Sequence, residues 1–191
     1  MTSETSVAVS DLVVTLSAVG PVLALAQSNK YASAGFLLVA AASSLGIFRF
    51  GLSHPGRSLI YFHDLFTWVS KGLGMSLLAT GFFYSNNLPT IGTIHLVSAI
   101  IITIVRIANL TNEQVAETAT EVVMTSAVVS FLLGSLYLKN PFAILGTLLY
   151  AISGLVGTDG DILQVKRVNW FHYIFAFGTM TLMKAYEYEN S

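Results

Sequence analysis

Residues 58–84 read SLIYFHDLFTWVSKGLGMSLLATGFFY, a stretch that is long and apolar enough to cross a lipid bilayer. This stretch nevertheless contains three ionisable side chains, those of His63, Asp64 and Lys71. An ionisable group in hydrocarbon is costly unless it is paired, hydrated or part of a functional site. The rest of the chain is therefore interpreted as the helical bundle that shelters these three groups.

The composition indicates a membrane protein. The 191 residues are 54% hydrophobic and 10% charged, with a mean hydropathy of +0.71, whereas soluble domains contain roughly 25% charged residues. A net charge of -1 provides no basic field, so nucleic acid is not an expected partner. The absence of cysteine excludes disulfides, thiolate zinc sites and a cysteine nucleophile.

Seven segments approach the length of about 20 apolar residues that a membrane span needs. The predicted spans are residues 7–27, 31–50, 58–84, 90–108, 118–138, 141–158 and 169–185. We therefore predict one all-α domain over residues 1–191, a bundle of seven transmembrane helices, with six spans as the alternative. The connections between spans are short, which leaves little room for a soluble catalytic domain.

The distribution of Lys and Arg near the span ends predicts the orientation. The side of the N-terminus receives Arg49, Arg57, Arg106, Lys166 and Arg167, and the opposite side receives Lys30, Lys139 and Lys184. This difference favours a cytosolic N-terminus. The N-terminal segment lacks the basic region of a signal peptide, so we expect it to be retained as the start of the first span.

Most ionisable groups of the predicted spans fall at one shallow depth, on the side of the N-terminus. With Lys71, which is placed nearer the middle of the bilayer, they form a candidate polar cluster. Its members are Asp11, Arg49, His63, Asp64, Lys71, Arg106, Glu121 and His172. In the simplest interpretation, these groups reach the interface or pair with one another between helices.

A metal site is a second interpretation. The imidazoles of His63 and His172, with the carboxylate of Asp64, would supply three ligands and leave one position open. Adjacent helical residues point about 100° apart, so either His63 or Asp64 would instead support a ligand from the second shell.

Two further interpretations use other groups. Asp64 and Lys71 share one helix face with a rise of about 10 Å between them, which suits a water-linked proton or ion path. Lys71 could alternatively pair with a carboxylate on another helix. A pocket for lipid phosphates would use the cations Arg49, Arg57, Lys166 and Arg167.

Two segments carry a resemblance to known proteins. YFHDLFTWVSKGLGM and NWFHYIFAFGTMTLMKA resemble the histidine-bearing helices of small seven-span families distantly related to the superfamily of alkaline ceramidases and adiponectin or progestin receptors. The resemblance implies a seven-helix fold, and a zinc hydrolase site near one membrane face in the complete members. Only His63 and His172 match, since Leu59 replaces the family's serine, Gly74 replaces its aspartate, and the second histidine of the last helix has no counterpart. It therefore implies a member without the hydrolase site.

From these observations we predict a non-enzymatic integral membrane protein, an accessory or structural subunit of a membrane assembly or a lipid-binding scaffold. The expected partners are membrane lipids and either other membrane subunits or further copies of the chain, and no cofactor is expected. One alternative is a zinc-dependent lipid hydrolase of ceramidase-like type that uses His63 and His172. The other is a proton or ion transporter or channel that uses Asp64 and Lys71.

Overall fold

A computed structural model describes residues 4–189, and α-helices account for most of them. The helical elements are α1 (Thr5–Leu25), α2 (Lys30–Gly51), α3 (Arg57–Val69), a π-helical segment (Ser70–Gly74), α4 (Met75–Ser85), α5 (Pro89–Ile107), α6 (Glu113–Tyr137), α7 (Pro141–Val156) and α8 (Arg167–Glu189). An antiparallel hairpin of β1 (Asp161–Ile162) and β2 (Val165–Lys166) connects α7 to α8. The all-α prediction is confirmed; residues 1–3 and 190–191 of the predicted domain lie outside the described residues.

Four helices of the described part, α1, α2, α5 and α6, are long and apolar enough to cross a membrane. This supports an integral membrane protein, and the seven-span arrangement stays a prediction. Helix α7 is apolar but has only 16 residues. The third predicted span is divided into α3 and α4 by the π-helical segment.

The π-helical segment lies where the backbones of two helices come close together. A Cβ atom added to Gly35 of α2 would lie 2.9 Å from the carbonyl oxygen of Gly74. On the other side, a Cβ atom added to Gly72 would lie 3.0 Å from Cγ2 of Thr120 in α6. Small residues allow such approaches between membrane helices, so this segment packs tightly between α2 and α6.

Neighbouring contacts arrange the helices around a common core. Helix α1 packs on α2 and α8, α2 also packs on α3 and α4, and α6 packs on α4, α5 and α7, while α7 packs on α8. The Glu4 amide donates to the Phe50 carbonyl at 2.8 Å, which joins the start of α1 to the end of α2. We call this the N-terminal end of the bundle.

Aromatic side chains from four helices fill the centre. The rings of Phe82 in α4 and Phe131 in α6 lie 4.4 Å apart, and Phe36 in α2 meets Tyr186 in α8 edge to face at 6.2 Å. The hydroxyl of Tyr186 donates to the Leu78 carbonyl at 2.6 Å, so this buried phenol is satisfied. The core therefore connects α2, α4, α6 and α8.

Two asparagines connect helices at the opposite end of the bundle. Asn29 caps α2, and its Nδ2 donates to the Gly81 carbonyl at 3.0 Å and to Ser85 Oγ at 2.9 Å. Asn140 caps α7, and its Nδ2 donates to the Ala185 carbonyl at 3.1 Å. Each side chain thus both starts its own helix and joins that helix to a neighbour.

We expect Asn29→Ala to lower the free energy of unfolding by about 2–3 kcal/mol, because it removes a cap and two buried hydrogen bonds to α4. Asn112→Ala is the matched control, since Asn112 caps α6 from an exposed position, and it should cost about 1 kcal/mol. Titration of the detergent-solubilised variants with SDS, followed by tryptophan fluorescence, measures both values. Equal losses would refute the role of the bonds between α2 and α4.

Candidate functional site

The candidate polar cluster divides into two groups at the N-terminal end. The first, which we call the Asp11 cluster, contains Asp11, Arg49, His63, Asp64 and His172. The second, which we call the Lys71 cluster, contains Lys71, Arg106 and Glu121 together with Glu113 and Glu117. The ionisable groups expected at one depth thus form two separate clusters. One lies among α1, α2, α3 and α8, and the other among the π-helical segment, α5 and α6.

A buried acid and a buried imidazole join α1 to α8. The Asp11 side chain is only 4% exposed, and its Oδ1 lies 3.5 Å from Nε2 of His172. The other ring nitrogen of His172, Nδ1, is 2.8 Å from Ser10 Oγ, which also lies 3.1 Å from Asn169 Oδ1. Four polar side chains from two helices therefore form one connected group inside the bundle.

Helix α2 closes this group from the other side. A Cβ atom added to Gly46 would lie 2.6 Å from Cγ of Asp11, so the carboxyl group packs directly on the α2 backbone. Within the described residues, Asp11 Oδ2 has no hydrogen-bond partner. Arg49, three residues further along α2, is close enough to attract the carboxyl group electrostatically.

Arg49 also joins α2 to α3. Its guanidinium donates to the carboxylate of Asp64 and lies 2.6 Å from His63 Nδ1. Since arginine has no acceptor, this contact requires an unprotonated Nδ1 and places the ring hydrogen of neutral His63 on Nε2. The Phe50 ring packs edge to face on His63, with centroids 5.4 Å apart. The Asp64 side chain is 61% exposed, so this part of the Asp11 cluster reaches the surface.

The two histidines of the zinc hypothesis have different surroundings. His172 contacts Ser10 and Asp11, and His63 contacts Arg49, so the two predicted ligands lie at the same end of the bundle. The Arg49 guanidinium at His63 Nδ1 would, however, repel a metal cation. Residues 4–189 also contain no group of three or more His, Asp or Glu arranged to hold a metal, whereas zinc usually takes at least three protein ligands.

Lys71 pairs with two carboxylates of α6. Its Nζ lies 2.8 Å from Glu117 Oε1 and 3.2 Å from Glu121 Oε1. Lys71 belongs to the π-helical segment, which packs between α2 and α6. Its ion pairs therefore hold the interrupted third helix against α6.

Arg106 connects α5 to the same carboxylates. Its guanidinium lies 3.4 Å from Glu117 Oε2 and 3.2 Å from Glu113 Oε1. It also stacks over the Trp68 ring, with Cζ 4.6 Å from the ring centroid, a favourable cation–π geometry. Glu117 thus bridges Lys71 and Arg106, and these contacts connect α3, α5 and α6.

The structure separates two residues that the ion-path hypothesis combines. Asp64 pairs with Arg49, whereas Lys71 pairs with Glu117 and Glu121. The two groups therefore lie in different clusters, each with its own partners. Of the cations assigned to a headgroup pocket, Lys166 pairs with Glu4 at 2.8 Å.

Four residues that contact these clusters were not among the sequence candidates: Ser10, Glu113, Glu117 and Asn169. Asn169 precedes His172 by one helical turn, and Glu117 precedes Glu121 by one turn, so each pair shares a helix face. That spacing could have identified both residues. Ser10 carries no comparable signal, because a serine in an apolar helix commonly bonds only to its own backbone.

No protein-family model matches the chain, and no curated protein or solved structure is significantly similar to it. The resemblance to the ceramidase and receptor superfamily therefore stays a prediction.

We expect Gly46→Ala to destabilise the protein, because the new methyl group would overlap the Asp11 carboxyl group and force α1 away from α2. The cost should be about 1–3 kcal/mol, as for overpacking in other cores. Gly154→Ala in α7 is the matched control, since an added Cβ there meets nothing within 4 Å. SDS titration of both variants measures the difference, and a neutral Gly46→Ala would contradict the close packing of Asp11.

Proposed function

We propose that this chain is a non-enzymatic integral membrane protein that acts as an accessory or structural subunit of a membrane assembly. The proposal rests on one observation: the charged side chains pair between neighbouring helices. Arg49 pairs across α2 and α3, Lys71 across the π-helical segment and α6, and Arg106 across α5 and α6. Groups that could serve chemistry or conduction are thus engaged in fixing helices to one another.

We also propose that all seven helical rods cross the membrane, where α3, the π-helical segment and α4 count as one. Contacts between consecutive rods support alternating directions. Asn29 joins the start of α2 to the end of α4, and Asn140 joins the start of α7 to the end of α8. Helix α7 rises by only about 24 Å, and a span of that length requires local thinning of the bilayer.

The outward surface supports membrane lipids as partners. Helix α5 exposes a row of aliphatic side chains that includes Ile94, Val97, Ile101 and Ile104. Such a row suits lipid tails, which offer no hydrogen bonds to polar groups. The predicted cytosolic location of the N-terminal end rests on the excess of Lys and Arg there.

The two alternative functions receive less support from the geometry. A zinc hydrolase would need His63 as a ligand, and the Arg49 guanidinium occupies the vicinity of its Nδ1. A path through Asp64 and Lys71 would have to join two clusters that have separate ion-pair partners. A structural role requires neither a metal at His63 nor a path between the two clusters.

The test is affinity purification of the tagged chain from its native membranes in mild detergent. We expect a stable complex with other membrane subunits, larger than the chain alone in its detergent micelle. A monodisperse, partner-free protein would contradict the proposal. In liposomes, we expect proton and ion flux equal to that of empty vesicles, and a flux that Lys71→Met abolishes would favour the transport alternative.

Lys71→Met should destabilise the helical packing, because it leaves Glu117 and Glu121 facing each other without their shared cation. We expect a loss of about 1–2 kcal/mol, because Glu121 loses its cation and the half-buried Glu117 keeps only Arg106. Lys184→Met is the matched control, since Lys184 forms an exposed pair with Glu187 within α8, which should be worth at most about 1 kcal/mol. Equal stability of the two variants in SDS titration would refute the structural role of Lys71.

A further inference from the structure

Helix α6 presents an unusual outward surface for a membrane span. Although it is long and apolar enough to cross a bilayer, it exposes polar side chains over its first half. We call this surface the outer α6 face; it consists of Gln114, Thr118, Glu121, Val122, Thr125 and Ser126. Lipid tails offer no hydrogen bonds to an exposed carboxylate such as that of Glu121. Thr118 and Ser126 donate to carbonyls of α6 itself, and such small residues allow the close approach of another helix.

The adjacent helix α5 provides an internal comparison. Its exposed residues are mostly aliphatic, among them Ile94, Ile101 and Ile104. Helix α6 also exposes the aliphatic side chains of Val115, Val122, Val129 and Leu133, but exposed polar residues alternate with them in its first half. The polarity of the outer α6 face is therefore a property of that face and not of the outward surface in general.

The polar surface continues into the predicted span. Glu121 lies three residues and Ser126 eight residues beyond Thr118, where the predicted span begins, which corresponds to rises of about 4.5 Å and about 12 Å. Two shallow depressions follow this surface and share Thr118, one beginning at Gln114 and the other ending at Val129. Both depressions therefore lie along the outer α6 face.

The charge of the Lys71 cluster specifies the partner. Two cations face three carboxylates in its ion pairs, which leaves one negative charge in excess. Glu121 is 58% exposed and shares Lys71 with Glu117, which lies closer to it. A second copy of α6 packed in parallel would bring two Glu121 carboxylates together. A partner with one cation at this depth would instead balance the charge.

We propose that the outer α6 face binds a transmembrane helix of a different protein, and that this helix carries one Lys or Arg at the depth of Glu121. Small or hydroxyl residues on the partner would allow close approach along Thr118 and Ser126. The inference rests on the proposed function, because it names the surface and the chemistry by which the chain joins an assembly.

The first experiment measures association in liposomes with a designed single-span helix of Leu and Ala. One probe carries Lys at the depth of Glu121, and the matched probe carries Met. We expect energy transfer between labelled chain and probe to show about tenfold tighter association for the Lys probe, a difference equivalent to about 1.4 kcal/mol. Glu121→Gln should abolish the difference, whereas Glu113→Gln, which removes the same charge at the helix start, should preserve it.

Equal association of the Lys and Met probes would overturn the proposal, as would equal effects of Glu121→Gln and Glu113→Gln. Circular dichroism of both variants confirms that the fold is retained, which is expected because both side chains are largely exposed.

The second experiment uses native membranes and a photo-crosslinking residue at Val122, with Ile101 of α5 as the matched control position. We expect Val122 to crosslink to a membrane protein whose span carries a basic residue, and Glu121→Gln to reduce the yield about tenfold. Crosslinks to lipid alone, or to a second copy of the chain, would overturn the proposal. A partner that co-purifies without crosslinking at Val122 would refute the α6 assignment alone, whereas the absence of any co-purifying partner would refute the proposed function as well.

Discussion

The ion pair between Lys71 and Glu117 joins the π-helical segment to α6. A lysine within an apolar helical segment needs a partner of opposite charge, and the partner lies on α6 at 2.8 Å. This contact holds the π-helical segment between α2 and α6, and Glu117 extends the connection to Arg106 on α5. The positions of α3, α5 and α6 relative to one another therefore depend on one charged network.

The sequence predicted the elements of the fold well, because long apolar segments separated by polar turns have few other interpretations. Asn112 and Asn140 cap α6 and α7, and the turns that contain them were recognisable as helix starts. The interruption at Ser70–Gly74 was not predicted, because a single π-helical turn leaves no periodic signal in the sequence.

The sequence identified most residues of the candidate site, but not which of them contact one another. His63, His172 and Asp11 were expected at one depth, and the structure places them in one cluster. The helix partners could not be predicted, since a single sequence shows depth along a helix but not which helices are neighbours. Asp64 and Lys71 share a face of one segment by spacing, yet they pair with α2 and α6 respectively.

The helices are joined by different interactions at the two ends of the bundle. At the opposite end, the neutral amides of Asn29 and Asn140 bind backbone carbonyls of α4 and α8, and such bonds carry no excess charge. At the N-terminal end, positively and negatively charged side chains pair between helices. Unequal numbers of the two leave a net charge at this end of the bundle. The Lys71 cluster has such an imbalance, since its two cations face three carboxylates. One of these carboxylates, Glu121, is largely exposed on α6 beside Thr125, and a cation on a partner helix would balance the charge there more readily than lipid would.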